Sequence, residues 1–110
     1  MKVEEKGHTI IIKDTQGDLT SFLLKLDHDY TTFSKHNLII DLSSYKSLIT
    51  KDVLLFTDLC KKHKKRKKSF VMVASEFDFN SNTKNIVVVP SILEAHDIIE
   101  MEEIERDLGF

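Results

Sequence analysis

Asn37-Leu38-Ile39-Ile40-Asp41-Leu42, then Ser43-Ser44-Tyr45-Lys46-Ser47, then a helical pattern opening at Thr50: this succession decides the fold. Four of the first six residues are Leu or Ile, with no polar alternation between them. A strand written that way is covered on both faces, so it lies inside a sheet with helices packed on it. Upstream, Thr9-Ile10-Ile11-Ile12 is a second β-branched run, closed by the turn residues Asp14-Thr15-Gln16-Gly17. Between the two runs Asp18 stands where an N-cap belongs. Leu19, Phe22, Leu23, Leu26, Tyr30 and Phe33 then recur at spacings of three and four. That period predicts one helix over residues 19–34.

Downstream, Thr50 reads as an N-cap, with Asp52 in the first turn where the helix dipole favours negative charge. Leu55, Phe56, Leu59 and Cys60 line the inner face of this second helix, widened by Val53 and Leu54. Residues 69–74 are the third strand. The polar stretch 76–85 has no helical period, and Phe77 and Phe79 in it anchor the loop or form one turn. Ile86-Val87-Val88-Val89 is the fourth strand, ended by Pro90. Its connection from the third is close to the shortest a parallel crossover allows. A parallel fourth strand is expected, with an antiparallel edge strand as the alternative. Ser91 and Glu94 form a capping box for a last helix that stops near Gly109. The expectation is an α/β fold: one domain over residues 1–110, a mostly parallel four-stranded sheet and three helices.

Size and composition permit this and exclude other classes. The chain has 110 residues, 41% of them apolar, and a net charge of −2. One small core can form, and overall charge selects neither nucleic acid nor membrane. No apolar run approaches the ~20 residues of a membrane span. Residues 1–6 are too polar for a secretory signal. The single cysteine, Cys60, forbids an intrachain disulfide and suits a reducing compartment, most simply the cytoplasm.

No cluster of catalytic character emerges. His8, His28, His36, His63 and His96 form no metal-ligand spacing. Asp27-His28-Asp29 points its side chains in different directions on a helix. His96 and Glu100 share a helix face as a surface pair. Cys60 has cationic neighbours that favour thiolate, but a helix C-terminus disfavours it, so it reads as a core residue. Three scattered glycines, Gly7, Gly17 and Gly109, exclude a phosphate loop or dinucleotide fingerprint. The reading is therefore not an enzyme, with no cofactor and no metal.

Two charged segments remain. Lys61, Lys62, Lys64, Lys65, Arg66, Lys67 and Lys68 concentrate seven of the sixteen basic residues. They read as a solvated helix end favoured by the dipole, or as a patch for an anionic partner. No interleaved aromatic residue supports base stacking, so nucleic acid is the weaker partner. The last helix carries Glu94, Asp97, Glu100, Glu102, Glu103, Glu105 and Asp107. Its apolar residues fall in two groups. Ile92, Ala95 and Ile99 share one face. Leu93, Met101, Ile104 and Leu108 lie on another and, with Phe110, read as anchors of an interaction helix. It could dock on the basic run within the molecule, or on a second copy as a homo-oligomer.

The order of elements resembles the STAS domains of anti-sigma factor antagonists and of sulfate-transporter tails. The resemblance rests on 37–42, the following loop, the helix opening at Thr50, the basic turn and 69–74. It implies a regulatory protein-interaction domain whose phospho-acceptor lies in the loop before the second helix. By position that is Thr50, with Ser43, Ser44 and Ser47 in the same loop. Ile49-Thr50-Lys51-Asp52 stands where that family has Asp-Ser-Ser-Gly. The stretch 87–110 is also similar to a family of short bacterial proteins labelled ribonuclease Z. That label implies an accessory to RNA processing that binds through the basic run, since the metal motif of that enzyme is missing from the sequence.

Overall fold

The computed structural model describes residues 1–109. Its five-stranded sheet has the order β1-β2-β3-β4-β5, with β1 Lys2–Lys6, β2 Thr9–Lys13, β3 Asn37–Asp41, β4 Phe70–Val73 and β5 Val87–Val89. β2 through β5 run parallel, and β1 is antiparallel to β2. The fold is therefore α/β with a mixed sheet. The last strand is parallel to its neighbour, as expected.

The four expected strands become five because of β1. Its sequence, Lys-Val-Glu-Glu-Lys, is exposed throughout and carries no apolar signature. Backbone pairing makes it a strand. Lys6 pairs with Thr9 across a two-residue turn, and Gly7 supplies the positive φ (61°) of its first central position. That is the pattern of a II′ hairpin turn.

The three expected helices become five because two of them break. The segment expected as one helix over 19–34 is α1 Leu19–His28 and α2 Tyr30–Phe33. Asp29 separates them at φ −95°, ψ 8°, outside the helical well. The second predicted helix is α3 Thr50–Leu54 and α4 Thr57–Lys65, with Phe56 at φ −91°, ψ 5° between them. This break brings Val53, Phe56, Leu59 and Cys60 onto the core together. Leu55, expected on the inner face, is 49% exposed. α5 Ile92–Asp107 is continuous.

Strand alternation sorts the core into two layers. Ile10, Ile12, Leu38, Ile40, Phe70 and Met72 face α1–α4 and meet Phe22, Leu26, Tyr30, Val53 and Phe56. Ile11, Ile39, Val71 and Val73 face the other way and meet Ala95 and Ile99 of α5. The β4–β5 connection lies on the first side, where Phe77 packs against the core. Its ring meets Phe79 edge-on at 5.6 Å, while Phe79 stays 44% exposed.

The parallel strands follow one another in chain order, so the sheet never reverses direction of winding. Doubly wound proteins bind ligands in the crevice made by such a reversal. Here binding surfaces must come from loops and helix faces instead.

Candidate functional site

The 43–50 loop leaves the C-terminal end of β3 and is pinned from several directions. Asp41 Oδ1 accepts the Ser43 N–H (2.9 Å), and Ser75 Oγ donates to the Ser43 carbonyl (3.1 Å). Leu48 is buried in the core. The Tyr45 hydroxyl donates to Oδ2 of the buried Asp14, whose Oδ1 accepts the Gln16 N–H (3.1 Å). Burial, then the hydrogen bond to Asp14, raises the Tyr45 pKa, so the phenol stays protonated. Between these anchors Ser44, Lys46 and Ser47 are exposed, and Ser43 is half-buried.

Thr50 is half-buried and is the first helical residue of α3, not its N-cap. Ile49 holds the cap position and has no side-chain acceptor. Its own N–H donates to Asp52 Oδ2 (3.0 Å), so the carboxylate of the first turn fastens the chain from inside the helix. The expected cap at Asp18 is present. Its carboxylate accepts the Ser21 N–H (3.3 Å) and the Ser21 hydroxyl (2.8 Å), which lowers its pKa. The loop and the start of α1 together enclose a concavity of about 440 Å³, lined among others by Asp18, Tyr45, Lys46, Ser47 and Asp52.

The basic run does not form one patch. Lys61, Lys64 and Lys65 join Lys84 around a groove of about 560 Å³ floored by Cys60 and Ile86. Lys64 Nζ donates to the Asn85 carbonyl across it (2.7 Å). Lys84 and Asn85 both have positive φ, 51° and 75°, in a turn closed by the Ile86 N–H on the Thr83 carbonyl (3.1 Å). Lys64 also borders a second concavity of about 560 Å³, where Lys67 and Lys68 face Glu102 and Glu105 of α5. Lys62 and Arg66 turn elsewhere: Lys62 Nζ sits 4.2 Å over the Tyr30 ring, and Arg66 Nε donates to the Ser34 carbonyl (3.2 Å). Lys67 adopts a left-handed conformation (φ 60°) just past the helix. Basic run and acidic helix thus border one concavity within the molecule. Among the described residues no lysine or arginine nitrogen lies within 4 Å of a carboxylate oxygen; the short contacts are His28 Nδ1 to Asp29 Oδ1 (3.0 Å) and His36 Nε2 to Glu5 Oε1 (2.9 Å).

His63, inside the basic run, faces the core and is fully buried. Nε2 donates to the His36 carbonyl (2.7 Å), which leaves Nδ1 to accept from the Tyr30 hydroxyl (2.8 Å). Tyr30 and Phe70 pack edge-on against the imidazole. Burial pushes its pKa down to about 4, with Arg66 and Lys68 adding in the same direction. Sequence reading missed this node. The available signal was its place three residues after Cys60, on the apolar face that Phe56 and Leu59 begin. Cys60 is also buried, and burial raises its thiol pKa against the opposing pull of Lys64. It is a core residue whose burial favours the thiol over the thiolate.

On α5 the Ser91 side chain accepts the Glu94 N–H (3.2 Å). The reciprocal half of the expected capping box, from the Glu94 carboxylate to the Ser91 N–H, is missing among the described residues. Arg106 turns to the sheet, where Nη1 donates to Ser69 Oγ (3.2 Å) and Nη2 to Asn37 Oδ1 (3.4 Å). Leu93, Met101, Ile104 and Leu108 stand out in solvent. Phe110, expected beside them, lies outside the described residues. Among the described residues no three His, Cys, Asp or Glu side chains gather as a metal site, and no helix is long and apolar enough to cross a membrane.

No family model matches the chain, and no curated protein matches it either.

Proposed function

We propose that this chain is a non-catalytic regulatory domain of STAS type that binds a protein partner through the 43–50 loop and the adjoining start of α1. The observation that carries this reading is a convergence. Exposed Lys46 and Ser47 line one concavity with Asp18 and Asp52, and exposed Ser44 and the first residue of α3, Thr50, belong to the same loop. The loop is anchored at Ser43, Tyr45 and Leu48, so it presents a set shape to a partner. A phosphate on Thr50 would add a charge of about −1.5 to −2. It would sit two residues from Asp52, which already occupies the free N–H of Ile49 and lines the concavity together with Asp18. Repulsion then outweighs the attraction of a short helix N-terminus. Phosphorylation therefore releases the partner.

The test is recovery of a partner from the native host by the full chain. The parent and Thr50→Ala should retain the same protein and Thr50→Glu should lose it. Indistinguishable binding by all three would overturn the phospho-switch.

A second reading is favoured by the lysine groove. Lys61, Lys64, Lys65 and Lys84 surround an apolar floor with no carboxylate in its lining. Four lysines on the phosphates of single-stranded RNA predict a slope of log affinity against log salt of about −3. A labelled oligonucleotide titrated at rising salt measures it. Lys61→Glu with Lys84→Glu should abolish the binding. A flat salt response would remove this reading.

A further inference from the structure

Helix α5 carries two apolar lines that face opposite ways. Ala95 and Ile99, 0% and 2% exposed, lie on the sheet. Leu93, Met101, Ile104 and Leu108 are 72%, 59%, 58% and 65% exposed. Together with the exposed Asp97 they follow spacings of four, four, three and four, which places all five on one outward side of the helix. Single exposed leucines are ordinary on a protein surface. Four large apolar side chains aligned on one helix make a continuous strip of the kind that marks an interaction site.

The charges around the strip select its occupant. By helical geometry Glu94 and Glu105 flank one side of it, and Glu100 and Asp107 flank the other; all four are exposed. Arg106 points to Ser69 and Asn37, so α5 itself puts no lysine or arginine on the outward side; Lys67 and Lys68 reach only its Glu105 edge, across the concavity beside α4. Two copies packed strip to strip would each bring five carboxylates into the contact, which disfavours that pairing. The chain's own lysine-rich helix, α4, does not complement the strip either. Its exposed positions are Asp58, Lys61, Lys62, Lys64 and Lys65, while Leu59 and Cys60 are buried.

We propose that the outer side of α5 docks a basic amphipathic helix of another protein. Its apolar side chains, at helical spacing, would seat along Leu93, Met101, Ile104 and Leu108. Its lysines or arginines would pair with Glu94, Glu100, Glu105 and Asp107. This surface does not include the 43–50 loop and stands whether or not that loop binds a partner.

The test uses the full chain and two designed fluorescent helical peptides with the same leucine pattern, one flanked by lysines and one by glutamates. The lysine peptide should bind at low salt and the glutamate peptide should not. Met101→Ser with Ile104→Ser should weaken the lysine peptide by roughly tenfold or more. Both positions are exposed, and circular dichroism and the urea midpoint check that the fold is kept. Should that double variant fail to fold, Glu100→Lys with Glu105→Lys carries the same test and should lose binding to a similar degree. Absence of binding by the lysine peptide at low salt, equal binding of the two peptides, or binding indifferent to both double variants would overturn the proposal. So would a dimer in sedimentation that Met101→Ser with Ile104→Ser dissolves, because the occupant would then be a second copy.

Discussion

On the α1–α4 side of the sheet, Ile10, Ile12, Leu38, Ile40, Phe70 and Met72 meet four helices that bring in Phe22, Tyr30, Phe33 and Phe56. On the α5 side, Ile11, Ile39, Val71 and Val73 meet one helix that offers Ala95 and Ile99, and β5 stays half-buried. The first side has its own polar node, in which both ring nitrogens of His63 are bonded, to the Tyr30 hydroxyl and to the His36 carbonyl. The second has Arg106 reaching over the end of the sheet to Ser69 and Asn37. One face is closed by aromatic packing that excludes water. The other is covered by a narrow strip whose helix still presents apolar side chains outward. The large buried aromatic side chains lie on the first face, and the helix on the second leaves Leu93, Met101, Ile104 and Leu108 exposed.

Core truncation on each side measures that difference. Phe56→Ala, at a fully buried aromatic where α3 meets α4, should cost about 3–5 kcal/mol. Ile99→Ala, under a helix that can settle toward the sheet, should cost about 2 kcal/mol, the low end for such a change. Urea unfolding of both variants gives the two values. Equal losses would mean that both faces contribute alike.

The imidazole node makes the first face sensitive to pH in one direction. His63 has a folded pKa of about 4 against an ordinary 6.5. Below pH 6.5 the unfolded chain takes up a proton that the folded chain refuses. The contribution is therefore complete above 6.5, falls as pH drops toward 4, and levels off below that. The loss is about 3 kcal/mol. His63→Phe should cost about 1–3 kcal/mol at neutral pH, because the Tyr30 hydroxyl and the His36 carbonyl lose their partner. It should also flatten the slope between pH 6.5 and 4, which urea midpoints across that range would register. A slope unchanged in His63→Phe would assign the acid sensitivity to other groups.

The same contrast separates what could be read in advance from what could not. β2, β3 and β4 were legible because strands covered on both faces are written as unbroken Ile, Val and Leu runs. The two stripes of α5 were legible because period alone reports them. β1 was not, since Lys2–Lys6 is held by backbone pairing and a Gly7 turn and buries nothing. The helix breaks at Asp29 and Phe56 were hidden for a related reason. Apolar spacing continues through both, and packing against the sheet decides where the backbone leaves the helical well. At the candidate site, the polar stretch 43–47 was legible as the loop between β3 and the next helix. The turn that adds Lys84 to the lysines of α4, and the burial of His63 among charged neighbours, depend on contacts distant in sequence.

The smallest effect tests how α5 is held. Its start has one side-chain cap, the Glu94 N–H on Ser91 Oγ, and the reciprocal carboxylate bond is missing. Ser91→Ala removes that acceptor and should cost about 1 kcal/mol. Ser91→Asp should recover it, because a carboxylate there both accepts the N–H and meets the positive end of the helix dipole. Hydrogen exchange distinguishes local from global loss: faster exchange confined to the first turn of α5 means the helix frays, and faster exchange throughout means it lifts from the sheet. A helix packed as firmly as α1–α4 would fray. One held by two buried residues and an arginine should lift, and that outcome would place the weak face where a partner can strengthen it.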